Sequence, residues 1–142
     1  MWPFRPSRRR EPPASASLGR SGERTARSVL KRAGLKVLVQ NYRCPVGEAD
    51  FIALDASPRR AQGAQTLVFV EVKTRSNDAY VDPRSAVTDD KRRRLRDIAR
   101  YYLAFRSPNE YRVRFDIVEV VAAPGKELKT NHIVDAFPLT NS

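Results

Sequence analysis

Three side chains of this 142-residue chain have the types and spacing to do chemistry together: Asp50, Glu71 and Lys73. Both acids sit in apolar runs, GEADFIALD and LVFVEVKTR, whose β-branched and aromatic content predicts strands over 48–55 and 66–75. Side chains alternate along a strand, so Leu67, Phe69, Glu71 and Lys73 share one face and Val68, Val70 and Val72 the other. An acid and a lysine projecting together from an apolar strand are costly to bury unless a partner or a metal receives them. On the preceding strand Asp50, Ile52 and Leu54 share a face. Antiparallel pairing across the 57–65 loop sets Asp50 beside Glu71 and Lys73. Two neighbouring carboxylates raise each other's pKa unless a cation intervenes. An oxygen-only donor set suits Mg²⁺ or Mn²⁺ rather than zinc. Lys73 would then position a water or neutralise charge on a phosphoryl group. This is the equipment of a phosphodiesterase.

The elements that must carry these residues are legible from periodicity. Ala26, Val29, Leu30 and Ala33 have helical spacing from Leu18 onward, and Gly34 supplies a stop. Residues 36–42 read as a strand with Val37 and Val39 on one face and Leu38 on the other, and 41–47 as a turn or irregular connection. Residues 76–87 are polar and irregular. A second helix is expected from Thr88 or Asp89 to about Phe105, with the stripe Leu95, Ile98, Ala99, Tyr102, Leu103 facing the core. Strands over 112–121 and 132–137 complete an α, β, β, β, α, β, β order, which implies an α/β fold with a mixed sheet flanked by helices.

Charges on the helices extend the constellation. Glu23 continues the apolar stripe of the first helix; it either reaches the same metal site or steadies the helix N-terminus. Lys91 extends the stripe of the second helix toward a bound phosphate, while Arg92, Arg93 and Arg96 are expected to face outward, as grips on a polyanion or as a solvated face. The nucleic-acid contacts are accordingly assigned to Lys91, Arg75, Arg92 and Arg93. Glu48 is expected to fix the turn after Gly47 or to meet Arg43. Asp116 either touches the site or holds a structural hydrogen bond. Cys44 is a turn or packing residue, and His132 has no partner in view.

Composition narrows the partners. Lys and Arg total 27 against 16 Asp and Glu, a net charge of +11, which attracts polyanions and raises their encounter rate. One cysteine excludes an internal disulfide, and a single histidine defeats most zinc patterns. No apolar stretch approaches the roughly 20 residues of a membrane span, and the N-terminus lacks the apolar segment of a secretory signal, so a cytoplasmic protein acting on a polyanion is expected. Residues 1–17 hold four prolines, Arg8-Arg9-Arg10, Trp2 and Phe4, and read as a disordered basic arm preceding a domain over 18–142.

Asp50 followed by Glu71-Val72-Lys73 resembles the PD-(D/E)XK nuclease signature of restriction endonuclease-like folds, with Ala49 where that signature has proline. The wider run is similar to the bacterial YraN-like family. Its residues are Gly19, Gly22-Glu23 and Ala26, Asn41-Tyr42-Arg43, Gly47 to Ala53, Phe69 to Arg75, Pro83, Ala86-Val87, Lys91 and Arg114 to Val118. The resemblance covers roughly 18–137. It implies a restriction endonuclease-like α-β-β-β-α-β core related to archaeal Holliday-junction resolvases. It further implies metal ligation by Asp50 and Glu71, a catalytic Lys73, an accessory Glu23 and a 5′-phosphate product. The expected function is that of a Mg²⁺- or Mn²⁺-dependent endonuclease on nucleic acid, DNA before RNA and branched DNA among its candidate substrates. The alternative is a non-catalytic nucleic-acid-binding module on the same fold. A homodimer is expected if the resolvase analogy holds.

Overall fold

The run Leu67 to Val70 is buried on both sides of its pleat, as only a central strand can be. The computed structural model describes residues 14–57, 65–76, 82, 84–85, 87–106, 110–122, 125 and 128–140. Its elements are α1 (Ala14–Arg32), β1 (Leu35–Cys44), β2 (Gly47–Asp55), β3 (Gln65–Arg75), α2 (Asp89–Ala104), β4 (Tyr111–Val121) and β5 (Lys129–Phe137). The strands form one sheet in the order β1-β2-β3-β4-β5. β3 and β4 pair in parallel, which the intervening α2 makes possible, and all other neighbours are antiparallel. This is a mixed α/β sheet with the α-β-β-β-α-β order of a restriction endonuclease-like core, extended by β5.

Each face of the sheet has its own apolar layer. Ala26 and Leu30 of α1 pack on Phe51, Val68, Val70 and Val118. Leu95, Ile98, Ala99 and Tyr102 of α2 pack on Ile52, Phe69, Phe115 and Ile117, the helical stripe that the periodicity predicts. Thr88 caps α2, its hydroxyl accepting from the Lys91 N–H at 3.3 Å, and so fixes the turn that carries Lys91. α1 comes so close to β3 that a methyl group on Gly22 would overlap the side chain of Thr74.

Several local expectations are corrected. α1 starts at Ala14, four residues before Leu18, within the segment assigned to the arm; Trp2, Phe4 and the arginine run lie outside the described residues, as does most of the 57–65 loop. A register shift between Val37 and Val39 puts these two on opposite layers, Val37 with α1 and Val39 with α2. A bulge inserts one unpaired residue and thereby reverses the alternation. β1 continues through Asn41, at φ 53°, a backbone region asparagine tolerates. Cys44 pairs with Gly47, so only Pro45 and Val46 make the turn expected over 41–47.

Candidate active site

The site begins where the sheet opens. β2 and β3 pair from Asp55↔Thr66 up to Phe51↔Val70, and there the pairing ends. Asp50 would face Glu71 in continued register; instead its Oδ2 accepts the Val72 N–H at 2.7 Å. A side-chain carboxylate thus replaces a main-chain carbonyl as the acceptor for β3. The alternation of β2 also breaks here, since Ala49 packs in the α2 layer and Phe51, two residues on, in the α1 layer. Asp50 is therefore turned toward β3 rather than standing in file with Ile52 and Leu54.

Glu71 is the electrostatic centre. It is 5% exposed, and Lys73 Nζ lies 3.6 Å from Oε1 and Lys91 Nζ 3.5 Å from Oε2. Burial, reinforced by the Asp50 charge, pushes its carboxyl from 4.5 up to about 7 against the pull of Lys91 and Lys73. Buried Oε2 has no hydrogen-bond partner, so the pair of lysines leaves one acceptor incompletely served. A buried carboxylate destabilised by a second carboxylate and holding an unserved oxygen fits a hard divalent cation. Mg²⁺ commonly takes one or two protein carboxylates and completes its octahedron with water and phosphate oxygens. Asp50 and Glu71 are the residues that could hold it. Among the described residues no histidine, cysteine or further acid joins them in a group of three ligands.

Four residues expected at the site meet there: Asp50, Glu71, Lys73 and Lys91. Lys91 points at Glu71 in this structure. Among the described residues Glu23 makes no group of three acids with Asp50 and Glu71. It lies on α1 next to Gly22, which meets the Thr74 side chain of β3, one residue from Lys73. Arg75 follows Glu71 and Lys73 on their side of β3 and bonds Glu119 Oε1 through Nη2 at 2.9 Å. Periodicity offered no sign of Glu119; it is buried on β4, in parallel register with Lys73.

The expectation that Arg92, Arg93 and Arg96 face outward holds for Arg93 alone, which is exposed. Arg92 donates to the carbonyls of Val87 at 3.1 Å and Arg84 at 2.9 Å. Arg96 is 7% exposed and donates to Pro138 O at 2.9 Å. Both guanidiniums lie over the Phe137 ring, at 5.4 and 5.5 Å from its centroid. The reason is that β5 ends under α2, so the helix flank expected to meet solvent meets Phe137 instead. Glu48 pairs with Arg43 at 3.2 Å.

A second polar cluster is centred on the middle of β4. Asp116, buried, accepts from Arg114 Nε and Nη2 at 2.8 and 3.0 Å and from the Asp135 N–H at 3.0 Å, and His132 Nε2 lies 2.8 Å from its Oδ2. Arg114 Nη1 bridges on to Asp55 Oδ2 at 2.8 Å. Burial works against the Asp116 charge, but His132, Arg114 and the Asp135 N–H overcome it and hold the carboxyl below its usual range. Arg114 likewise loses to burial and gains more from Asp116 and Asp55, so its pKa is raised. The cluster ties β2, β4 and β5 together. Asp116 thus takes the structural alternative, and His132 has the partner that its sequence neighbourhood did not reveal.

No helix among the described residues is long and apolar enough to cross a membrane. Residues 22–120 match the family described as "Uncharacterised protein family UPF0102". A UPF0102 protein of Syntrophus aciditrophicus (strain SB) is 41% identical over 121 residues, covering 85% of this chain and 88% of the relative. Those of Pelobacter propionicus and Nocardia farcinica are 37% and 39% identical, covering 89% and 85% of this chain and 86% and 89% of theirs. The matched span runs from Gly22 on α1 to Val120 on β4 and includes both carboxylates and both lysines of the site, so by its sequence and over the whole core the chain belongs to the UPF0102 family.

Proposed function

We propose that this protein is a divalent-metal-dependent phosphodiesterase acting on nucleic acid, DNA before RNA, in the cytoplasm. The observation that carries the reading is the buried Glu71 carboxylate, set against Asp50 where the strands part and bracketed by two lysines. Mg²⁺ or Mn²⁺ would be held by Asp50 and Glu71 and would supply Lewis-acid activation of the scissile phosphate. Glu71, fixed on a central strand, anchors the site. Lys73 is 35% exposed along its side chain, so its ammonium can serve Glu71 and still reach a phosphate oxygen or a water. In the transition state it neutralises charge that the ground state lacks. Lys91, held by the Thr88 cap, brings a second cation to the same phosphate, and exposed Arg93, two residues on and so on the outer side of α2, adds charge for the flanking backbone.

A non-catalytic nucleic-acid-binding module is the second reading, favoured by the lack of a third ligand group among the described residues. One experiment separates the two. Labelled linear, single-stranded and four-way-junction DNA, and RNA, are incubated with wild type, Asp50→Asn and Lys73→Met in Mg²⁺ and in Mn²⁺. Cleavage by wild type alone, with binding retained by Lys73→Met, is the expected result. Asparagine keeps an acceptor for the Val72 N–H, so its loss of activity is not a loss of fold. Binding without cleavage of any substrate would establish the module; cleavage by Lys73→Met at the wild-type rate would overturn the mechanism.

A further inference from the structure

α2 ends in an aromatic group that neither the core nor the candidate site uses. Phe105, its C-cap residue, is 72% exposed. Tyr101 meets its ring at 5.1 Å and 64°, which accounts for one side of it and leaves the rest in water. Beside this pair Tyr102 is buried, packed edge-on against Tyr42 at 5.4 Å and Phe69 at 5.8 Å. Arg106 lays its guanidinium 3.5 Å from the Tyr102 centroid and donates to Tyr102 O at 2.9 Å, so the cation is locked next to Phe105.

Helical geometry links this group to the site. Arg94, Tyr101 and Phe105 are spaced i, i+7, i+11 and lie along one flank of α2. That flank faces the β1–β2 hairpin: Ile98 lies 3.2 Å from where a Cβ on Gly47 would sit, and Tyr102 touches Tyr42. The other flank is taken, since Arg92 and Arg96 cover Phe137. The same hairpin runs directly into Asp50, and α2 itself starts beside Glu71 at Lys91. From Lys91 to Phe105 the helix advances about 21 Å, at ~1.5 Å per residue. At ~3.4 Å per nucleotide of one strand this is about six nucleotides.

We propose that Tyr101 and Phe105, with Arg106, form a stacking ledge for unpaired bases of a nucleic-acid strand that leaves the site along this flank. The preferred substrate then carries a single-stranded segment. This rests on the nucleic-acid reading above and adds the substrate class to it. An exposed aromatic ring among guanidiniums is what a single strand uses, since every base offers a π-face and every linkage a negative charge. A closed duplex keeps its faces stacked internally and gains nothing from the ledge. A second copy of this chain, itself at +11, would bring like charge to Arg94, Arg100 and Arg106.

The test uses the full chain in EDTA, where binding is read without cleavage. Fluorescence anisotropy is measured for a 20-nucleotide single strand, a blunt duplex and the same duplex with a single-stranded tail. Wild type, Phe105→Ala, Tyr101→Ala and Phe105→Trp are compared. The expected result is a loss of roughly 5- to 100-fold for the single strand and tailed duplex in Phe105→Ala, as for removal of one stacking partner. Blunt-duplex affinity should stay within about twofold, and Phe105→Trp should bind as wild type. A 2-aminopurine in the tail should be quenched by wild type and not by Phe105→Ala. Equal single-strand affinity of wild type and Phe105→Ala, or an equal loss on blunt duplex, would overturn the ledge while leaving the nuclease reading intact. Conversion of a wild-type dimer to monomer by Phe105→Ala, with nucleic-acid affinity unchanged, would reassign the surface to a second copy. Absence of binding to every probe by wild type would refute both readings.

Discussion

Replacing Glu71 with glutamine should make the metal-free protein more stable at alkaline pH. The Glu71 carboxyl titrates near 7 in the fold and at 4.5 when exposed, with burial and then Asp50 as the causes. The native state therefore binds the extra proton more tightly than the unfolded chain. Stability from this group is fully present below pH 4.5 and is lost as pH rises through 7. At about 1.4 kcal/mol per pH unit, the loss across this window is on the order of 3 kcal/mol. Glutamine has no proton to lose and keeps an oxygen for Lys73 or Lys91, so its variant should show no such fall. The assay is urea unfolding of both proteins in EDTA at several pH values from 5 to 8. Because all other groups are shared, the difference between the two curves isolates Glu71. It should change by about 2 to 3 kcal/mol in favour of glutamine on going from pH 5 to pH 8. Millimolar Mg²⁺ or Mn²⁺ should then raise the stability of the wild type at pH 8 and leave the variant unmoved. Parallel curves for the two proteins would refute the electrostatic account of the site.

Asp116→Asn should cost about 3 kcal/mol in the same unfolding assay at pH 7, since it strips a buried guanidinium and imidazole of their shared anion. The Asp116 carboxyl is held below its usual 3.8, so its contribution is present above that value and lost as pH falls through the lower, folded one; the variant should lack this acid transition. Gly22→Ala should destabilise by roughly 1 to 3 kcal/mol despite alanine's helix preference, because its methyl meets Thr74; adding Thr74→Ser, which removes that Cγ2, should recover most of the loss. Arg96→Ala should lower the urea midpoint and leave the salt dependence of DNA binding unchanged. Arg93→Ala should do the reverse, reducing the slope of log K against log salt by about 1.

What the sequence disclosed and what it hid divide along physical lines. The apolar alternation of β3 and the 3.6-residue stripe of α2 announce their elements because burial on a sheet face or helix flank demands them. Asp50 and Glu71 come together because an antiparallel hairpin leaves no other register once both apolar sets are buried. A bulge carries no such signature, so Val37 and Val39 look like same-face neighbours until the register shift separates them. The fate of Arg92 and Arg96 depends on where β5 ends, and nothing on their own helix records Phe137. Glu23 shares the stripe of α1, yet stripe membership says only that a residue faces the sheet, not that it completes a group of three acids with Asp50 and Glu71. His132 and Asp116 are 16 residues apart and meet only through the β4–β5 pairing.

The hydrogen bond from Val72 to Asp50 divides the labour of one carboxylate. Oδ2 already gives one lone pair to the peptide of the neighbouring strand, so an incoming cation would share Oδ2 with that N–H but not Oδ1. Ligation by Oδ2 would therefore draw charge from the oxygen that holds Val72, whereas ligation by Oδ1 would leave that bond as it is. The amide proton of Val72 becomes a built-in witness to that choice: its chemical shift and its exchange with deuterium would register how Asp50 is engaged, one bond removed from the chemistry and without any label on the substrate.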